Sequence, residues 1–450
     1  MQRVLRTLSV AGPVFLLLLG LPAAVRGQFN FTTNDGAITI TGYTGSGGAV
    51  MIPGMTNDLP VTRIGIFAFY GSTSLTSITV PGSVTNVGDW AFSSCTSLTE
   101  ISVDELNSVY GSVDGVLFNK STNMLIQFPG GKTGNYAVPD SVTSIKDSAF
   151  WFSSLASVTI GNSVTSIPDH TFYNCGSLTN VTIASNVTSV GNSAFAYCYS
   201  LTTISVEALN PVYCSVDGVL FNKSTNTLIQ CPQGKAGCYT IPDGILCIGA
   251  DALSYCTGLD RVIVPNSVTN IGDWAFRCCS SLTNVVIGTN VSSIGDEAFS
   301  YCNNLISLTI PSSVTNIGDW AFSYCPDLMS IYFLGNAPTV GSDACYKTTN
   351  AVIYYLPGTT DWEAWFGSRP TALWSPLIQT GDASFGLRTN QFGFNITWAS
   401  SMTIVVEACT DLAYPIWSPL QTNTLTSDSL FFTDPQWTDH PARFYRVRWP

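Results

Sequence analysis

The chain is 450 residues long, 10% of them charged, with 17 basic against 29 acidic side chains and a net charge of −12. An acidic chain without basic runs excludes nucleic acid and anionic membrane surfaces as natural partners. It has two histidines and no H-E-x-x-H, G-x-S-x-G, phosphate-loop or dinucleotide fingerprint, so neither a metal nor a cofactor is expected and the chain reads as a non-enzyme.

Residues 1–27 read as a secretory signal peptide: Arg3 and Arg6, an apolar run from Phe15 to Leu21, then Val25-Arg26-Gly27 with a small residue at the cut. The run is short for a bilayer span, which takes about 20 apolar residues. Cleavage rather than anchoring is therefore expected, with no membrane insertion after the signal is removed. No Cys follows the run directly, so lipoprotein processing is not expected either.

From Gln28 to Tyr70 the chain reads as irregular opening strands, as the terminal repeats of a solenoid do. A repeat then takes over, with its cleanest copy at Leu305–Asp327, LISLTIPSSVTNIGDWAFSYCPD. A recurrent Phe marks the beat: Phe69, Phe92, Phe150, Phe172, Phe195, Phe276, Phe299 and Phe322, with Leu253 and Cys345 as substitutes. Most steps are 22 or 23 residues, but Phe92 to Phe150 and Phe195 to Leu253 are 58. Leu308 and Ile310 share one face of a strand and Thr309 points out. Phe322 and Cys325 lie three apart, which predicts a short helical turn. One such coil cannot bury its apolar face alone, so coils must stack.

This repeat resembles the BspA-type (Treponema-type) leucine-rich repeats of bacterial surface proteins, whose pattern LISLTIPSSVTNIGDWAFSYC follows column by column; the likeness runs from about Gly36 to Trp374. The resemblance implies an exported, non-catalytic scaffold for adhesion or protein binding, secreted or at a bacterial cell surface. It names no partner. The fold class is thus a leucine-rich repeat solenoid over residues 28–374, mainly β with short helical turns.

The two long steps match each other. Asn107–Pro139 and Asn210–Pro242 share S-V-D-G-V-L-F-N-K-S-T-N and read as hairpins inserted in, or replacing, part of a coil. They lie 103 residues apart, which points to duplication of a larger unit.

Three columns carry further expectations. Gly88, Gly191, Gly272, Gly295 and Gly318 share a place with Pro168, which cannot adopt positive φ, so close packing between coils explains them better than backbone freedom. Asp89, Asp147, Asp169, Asp273, Asp296 and Asp319 read as helix N-caps; a calcium ladder would bring more carboxylates per coil. Cys95, Cys175, Cys198, Cys256, Cys279, Cys302 and Cys325 form an inward column of unpaired thiols, because parallel neighbours offer poor bridging geometry. Cys214, Cys231, Cys238 and Cys247 lie in or near the second hairpin without counterparts in the first, and are the candidates for one or two disulfides. They lack the close C-x2-C pairing of zinc sites.

Two surfaces are candidates for binding. The outward strand column turns apolar in the C-terminal half, at Ile263 and Val286 with Thr309 and Tyr332 beyond, and an exposed apolar strip asks for a partner. Trp274, Trp320, Tyr301 and Tyr324 form an aromatic ridge on the turn side, the second candidate; covering the seams between coils is its plainer role. His170 shares the Trp320 column and reads as an ordinary surface residue. A protein ligand is expected, with carbohydrate binding as the alternative and a glycan-active enzyme as the most distant one. Residues 351–374 read as a closing cap. Residues 375–450 lack the repeat and read as a small antiparallel domain, similar to a β-sandwich, built from QFGFNITW, MTIVVEAC, SLFFTD and ARFYRVRW.

Overall fold

The computed structural model describes residues 28–374 without a break, then 376–381, 383–388, 391–398, 403–412, 416–427, 429–440 and 442–448. The leader at 1–27 lies outside the described residues. The protein is a β-solenoid followed by antiparallel sheets.

Alternating burial builds the first wall of each coil. In Ser307–Ile310, Leu308 and Ile310 are buried and Thr309 is exposed. The strand pairs parallel and in register with Ser330–Phe333, Leu308 opposite Ile331; Asn180–Ile183 pairs in the same way with Thr203–Val206. Like residues therefore stack on like, and the inward column becomes a continuous core. A second wall is made of two-residue strands, among them Asn270–Ile271, Ser293–Ile294 and Asn316–Ile317, which lie in one parallel sheet.

The third side departs from expectation. No α-helix forms there among the described residues. Each turn instead places two residues at positive φ, Trp320 at +58° and Tyr324 at +54°, and the pair recurs at Trp274 and Cys278 and at Glu297 and Tyr301. A left-handed residue with a large side chain costs about 1–2 kcal/mol. What it gains is direction. The amide of Trp320 donates to Ser342 O (3.0 Å), that of Phe322 to Ala344 O (2.7 Å) and that of Tyr324 to Tyr346 O (2.8 Å). An α-helical turn would direct such donors back along its own axis. The wound turn sends them to the next coil.

The Asp column serves the same ladder. Asp273 Oδ1 accepts from the amide of Asp296 (2.9 Å), and Asp296 Oδ1 accepts from that of Asp319 (2.8 Å). These carboxylates cap the next coil, not a helix of their own. The Gly column leaves them room: a Cβ at Gly295 would fall on Asp273 Oδ1 and lie 2.6 Å from Asp273 N. Close packing between coils is thus the reason for glycine there.

Within the turn side the Phe rings form a stack. Phe276 lies 4.9 Å from Phe299, and Phe299 lies 5.9 Å from Phe322, with planes within 14°. All are at most 1% exposed. The sequence reading missed one member. Phe128 stacks on Phe150 at 5.1 Å and donates its amide to Ala149 O, so it occupies the Phe column; Cys231 does the same towards Ala252. Each long step is therefore a shortened coil preceded by a hairpin.

The first insert runs antiparallel through Tyr110–Val113, Val116–Asn119 and Met124–Gln127, and the last strand rejoins the stack by pairing parallel with Ser144–Ile145. Buried Asn107 clamps its entry, donating to Pro81 O and Val84 O (both 2.9 Å) and accepting from the amides of Val109 and Tyr110. Asn210 repeats this in the second insert.

Beyond the last parallel strand, Arg369–Leu373, the chain forms two antiparallel sheets. Phe394, Ile396, Trp398, Ile404, Val406 and Phe432 make their shared core. That core continues onto Tyr332, Leu334 and Tyr354 of the solenoid. Glu407 ties neighbouring strands by accepting from Arg446 (2.7 Å) and Arg448 (2.8 Å).

Phe299→Ala empties a site between two stacked rings, so a loss of about 3–5 kcal/mol is expected in equilibrium denaturation. Phe128→Ala should cost a similar amount, although no Ala precedes it.

Candidate binding surfaces

The four sheet-face residues do not form one open strip. Ile263 pairs with Val286 across neighbouring strands. Val286 is 41% exposed, while Ile263 is half-buried. Thr309 is exposed and lies opposite Tyr332. Tyr332 stacks on Tyr354 at 5.2 Å and on Trp374 at 4.3 Å, against the core of the C-terminal sheets. The chain's own C-terminal part covers that end of the strip.

The aromatic ridge is longer than its four candidates suggested. Tyr301 stacks on Tyr324 at 4.5 Å with planes 6° apart, and Tyr346 packs on both Tyr324 (5.6 Å) and Trp320 (5.1 Å). The Arg277 guanidinium lies 5.9 Å from the Tyr301 ring and pairs with Glu297 (3.2 Å). Further along, Phe67, Trp90, Trp151, Tyr173, Tyr197 and Tyr255 continue ring to ring at 4.7–6.3 Å. Trp274 stands apart from the Tyr301 cluster, since Glu297 holds its column in the coil between Trp274 and Trp320. The missed members, Trp151, Tyr173 and Tyr346, sit one place after the Phe position; that column was the signal.

His170 stacks 5.9 Å from Trp151 within this ridge. Close by, burial pushes the Asp251 carboxyl above its usual range; the Ser254 hydroxyl and Arg277 oppose that rise, and Glu297 adds to it.

The inward thiols work as donors. Cys279 Sγ lies 3.1 Å from Leu253 O, Cys302 Sγ 3.2 Å from Phe276 O and Cys325 Sγ 3.1 Å from Phe299 O. Thr348 takes over in the last such turn, donating to Phe322 O at 2.6 Å. Burial pushes Cys95, Cys325 and Cys345 up to about 12. All fourteen cysteines are free, so no bridge joins Cys214, Cys231, Cys238 and Cys247 in the structure. The strands of Cys214 and Cys247 lie three places apart in their sheet, about 14 Å and beyond bridging reach. Cys238 lies in another sheet, and Cys231 fills the Phe column. Among the described residues no group of three or more His, Cys, Asp or Glu is placed to hold a metal ion, and no helix is long and apolar enough to cross a membrane.

The family described as BspA type leucine rich repeat region matches in six copies, over residues 55–130, 126–227 and 235–352. Two solved structures are similar. One is a leucine rich cell surface protein from Faecalibacterium prausnitzii, 27% identical, covering 75% of this chain and 97% of its own, with a TM-score of 0.54. The other is the pneumococcal vaccine antigen PcpA, 20% identical, covering 77% and 91%, with a TM-score of 0.54. The curated proteins contain no match.

Two measurements check this chemistry. In the folded protein Cys279, Cys302 and Cys325 should resist alkylation by iodoacetamide and react fully once denaturant is added, as peptide masses will show. Asp251→Asn should raise the melting temperature at pH 7, where the charged form is disfavoured by folding. The gain should shrink as pH falls through the raised pKa of Asp251 and vanish below the unfolded value of about 3.9.

Proposed function

Because the chain belongs to the BspA-type leucine-rich repeat family, we propose that it is an exported, non-catalytic scaffold that holds a protein partner at a bacterial cell surface. The observation that carries the reading is the Tyr301–Tyr324–Tyr346–Trp320 cluster with Arg277 beside it. Trp320 and Tyr346 are each 36% exposed. Tyr, Trp and Arg are the side chains that dominate protein interfaces, and rings already locked by stacking lose little freedom on binding. The sheet face is the lesser candidate, because its Tyr332 end is occupied within the chain. Cell-surface placement draws support from the similar Faecalibacterium prausnitzii protein, a leucine rich cell surface protein. Export rests on the leader at residues 1–27.

Captured partner from a surface extract, quantified for each variant of the full chain, tests the site. Trp320→Ala with Tyr324→Ala should weaken capture at least tenfold with the circular dichroism spectrum unchanged. Ile263→Asp with Val286→Asp should leave it intact. The opposite pattern would assign the sheet face instead. The exported protein should begin at Gln28 by mass.

A further inference from the structure

The duplicated unit contains the same junction twice, once closed and once open. At each junction the hairpin interrupts the turn ladder. The amides of Ser193, Phe195 and Tyr197 make none of the bonds to a following turn that Trp320, Phe322 and Tyr324 make. In the first copy large side chains fill the break: Lys146 pairs with Asp89 at 2.7 Å, and Trp90 meets Trp151 edge to face at 6.3 Å. A void of about 10 Å³ remains. In the second copy, 103 residues on, Gly249 stands for Lys146, Asn192 for Asp89, Ser193 for Trp90 and Ser254 for Trp151. A cavity of about 720 Å³ opens there, within the roughly 300–1,000 Å³ typical of small-molecule sites.

Its walls are built for a particular chemistry. Tyr173, Tyr197, Tyr255 and Trp274 line it, and the Tyr197 hydroxyl donates to that of Tyr255 at 3.1 Å across the break. Gln233, which replaces Gly130 of the first copy, is 2% exposed and lines the cavity. Its Nε2 donates to Ser254 O at 3.1 Å, while its Oε1 has no partner. A buried amide oxygen without a donor is left desolvated and uncompensated, so a ligand hydroxyl or amide that donates to it removes that cost. Asn192 and Gln230 add further donors and acceptors. Among the described lining residues the basic side chains are Arg277 and His170; Arg277 is already paired with Glu297 and has Asp251 beside it, which disfavours phosphate and other anions.

From this geometry we propose that the open junction binds a neutral carbohydrate. Sugar hydroxyls donate and accept at once, as the free amides, Gln233 Oε1 and Asn192 require. The weakly positive C–H face of a sugar ring suits the negative face of an aromatic ring. An extended peptide fits less well, because Ser193 and Tyr197 sit at φ +51° and +60° and do not form a strand edge. The cavity shares Tyr173, Tyr197 and Tyr255 with the ridge, but Tyr301, Tyr324, Tyr346 and Trp320, on which the protein-binding reading rests, do not line it.

The test is titration of the full chain with a panel of neutral disaccharides (lactose, cellobiose, maltose and N,N′-diacetylchitobiose), followed by tryptophan fluorescence and calorimetry. At least one should bind. Restoring the first copy's residues, Ser193→Trp with Ser254→Trp, should weaken that binding at least tenfold, and Gln233→Ala should weaken it severalfold. Position 193 accepts Trp on backbone grounds, since Trp90 has φ +53° at the matching place. Should the double variant misfold by circular dichroism, Gln233→Ala alone decides. Absence of binding by every sugar, binding indifferent to these variants, or displacement by unglycosylated peptides at equal potency would each overturn the proposal. Loss of sugar binding with protein capture intact would leave the ridge reading standing.

Discussion

Every coil of this protein depends on the next one for its hydrogen bonds. A coil of 22 or 23 residues closes only short turn bonds of its own, such as Ser323 N to Trp320 O; its strand, its short second strand and its turn all bond to neighbours 22 or 23 residues away. Buried backbone donors must be paired, so this requirement fixes register more strictly than apolar contact does. It also accounts for features that look costly in isolation. Bulky residues at positive φ are strained, yet two per turn are what aim the amides of Trp320, Phe322 and Tyr324 at the following coil. The thiol column answers the same demand: Cys95, Cys175, Cys198, Cys302 and Cys325 each reach the Phe carbonyl of the preceding turn, and Cys279 reaches Leu253 O in the same place.

Interruptions of that ladder are where the molecule becomes individual. A repeat that only repeats has no pockets, because each turn is sealed by the next. The two hairpins break the seal, and Asn107 and Asn210 clamp them in nearly identical fashion. Similar frames then diverge in their filling. Side-chain bulk closes the first break. The second keeps its edge open with small residues around it and a buried Gln233. The loss of bulk in the lining of a duplicated junction is hard to attribute to packing, since a void of that size forfeits the contacts a filled one would make.

Much of the architecture was legible because periodicity reports burial directly. The Leu308/Ile310 alternation, the Phe beat and the crowded Gly295 column all read through to the structure. The turn did not, and the reason is geometric: a three-residue spacing such as Phe322 to Cys325 suits a helical turn and a wound left-handed turn equally. Phe128 escaped notice because the sequence around it, QFPG, lacks the Ala-Phe signature, and only its partner Ala149 reveals its place. Tyr332 looked exposed because nothing in a linear pattern announces that Trp374 and the C-terminal core will cover it. The cavity was the least visible feature. It consists of what Gly249, Ser193 and Ser254 lack, and it emerges only when the two copies are laid over one another.

Amide hydrogen exchange resolved to single turn residues tests the ladder most directly. The account predicts strong protection at Phe276, Phe299 and Phe322, whose amides are bonded to the following coil. It predicts exchange faster by orders of magnitude at Ser193 and Tyr197, where the ladder is open. Equal protection across the Phe195 and Phe299 turns, or rapid exchange at Phe299, would contradict it.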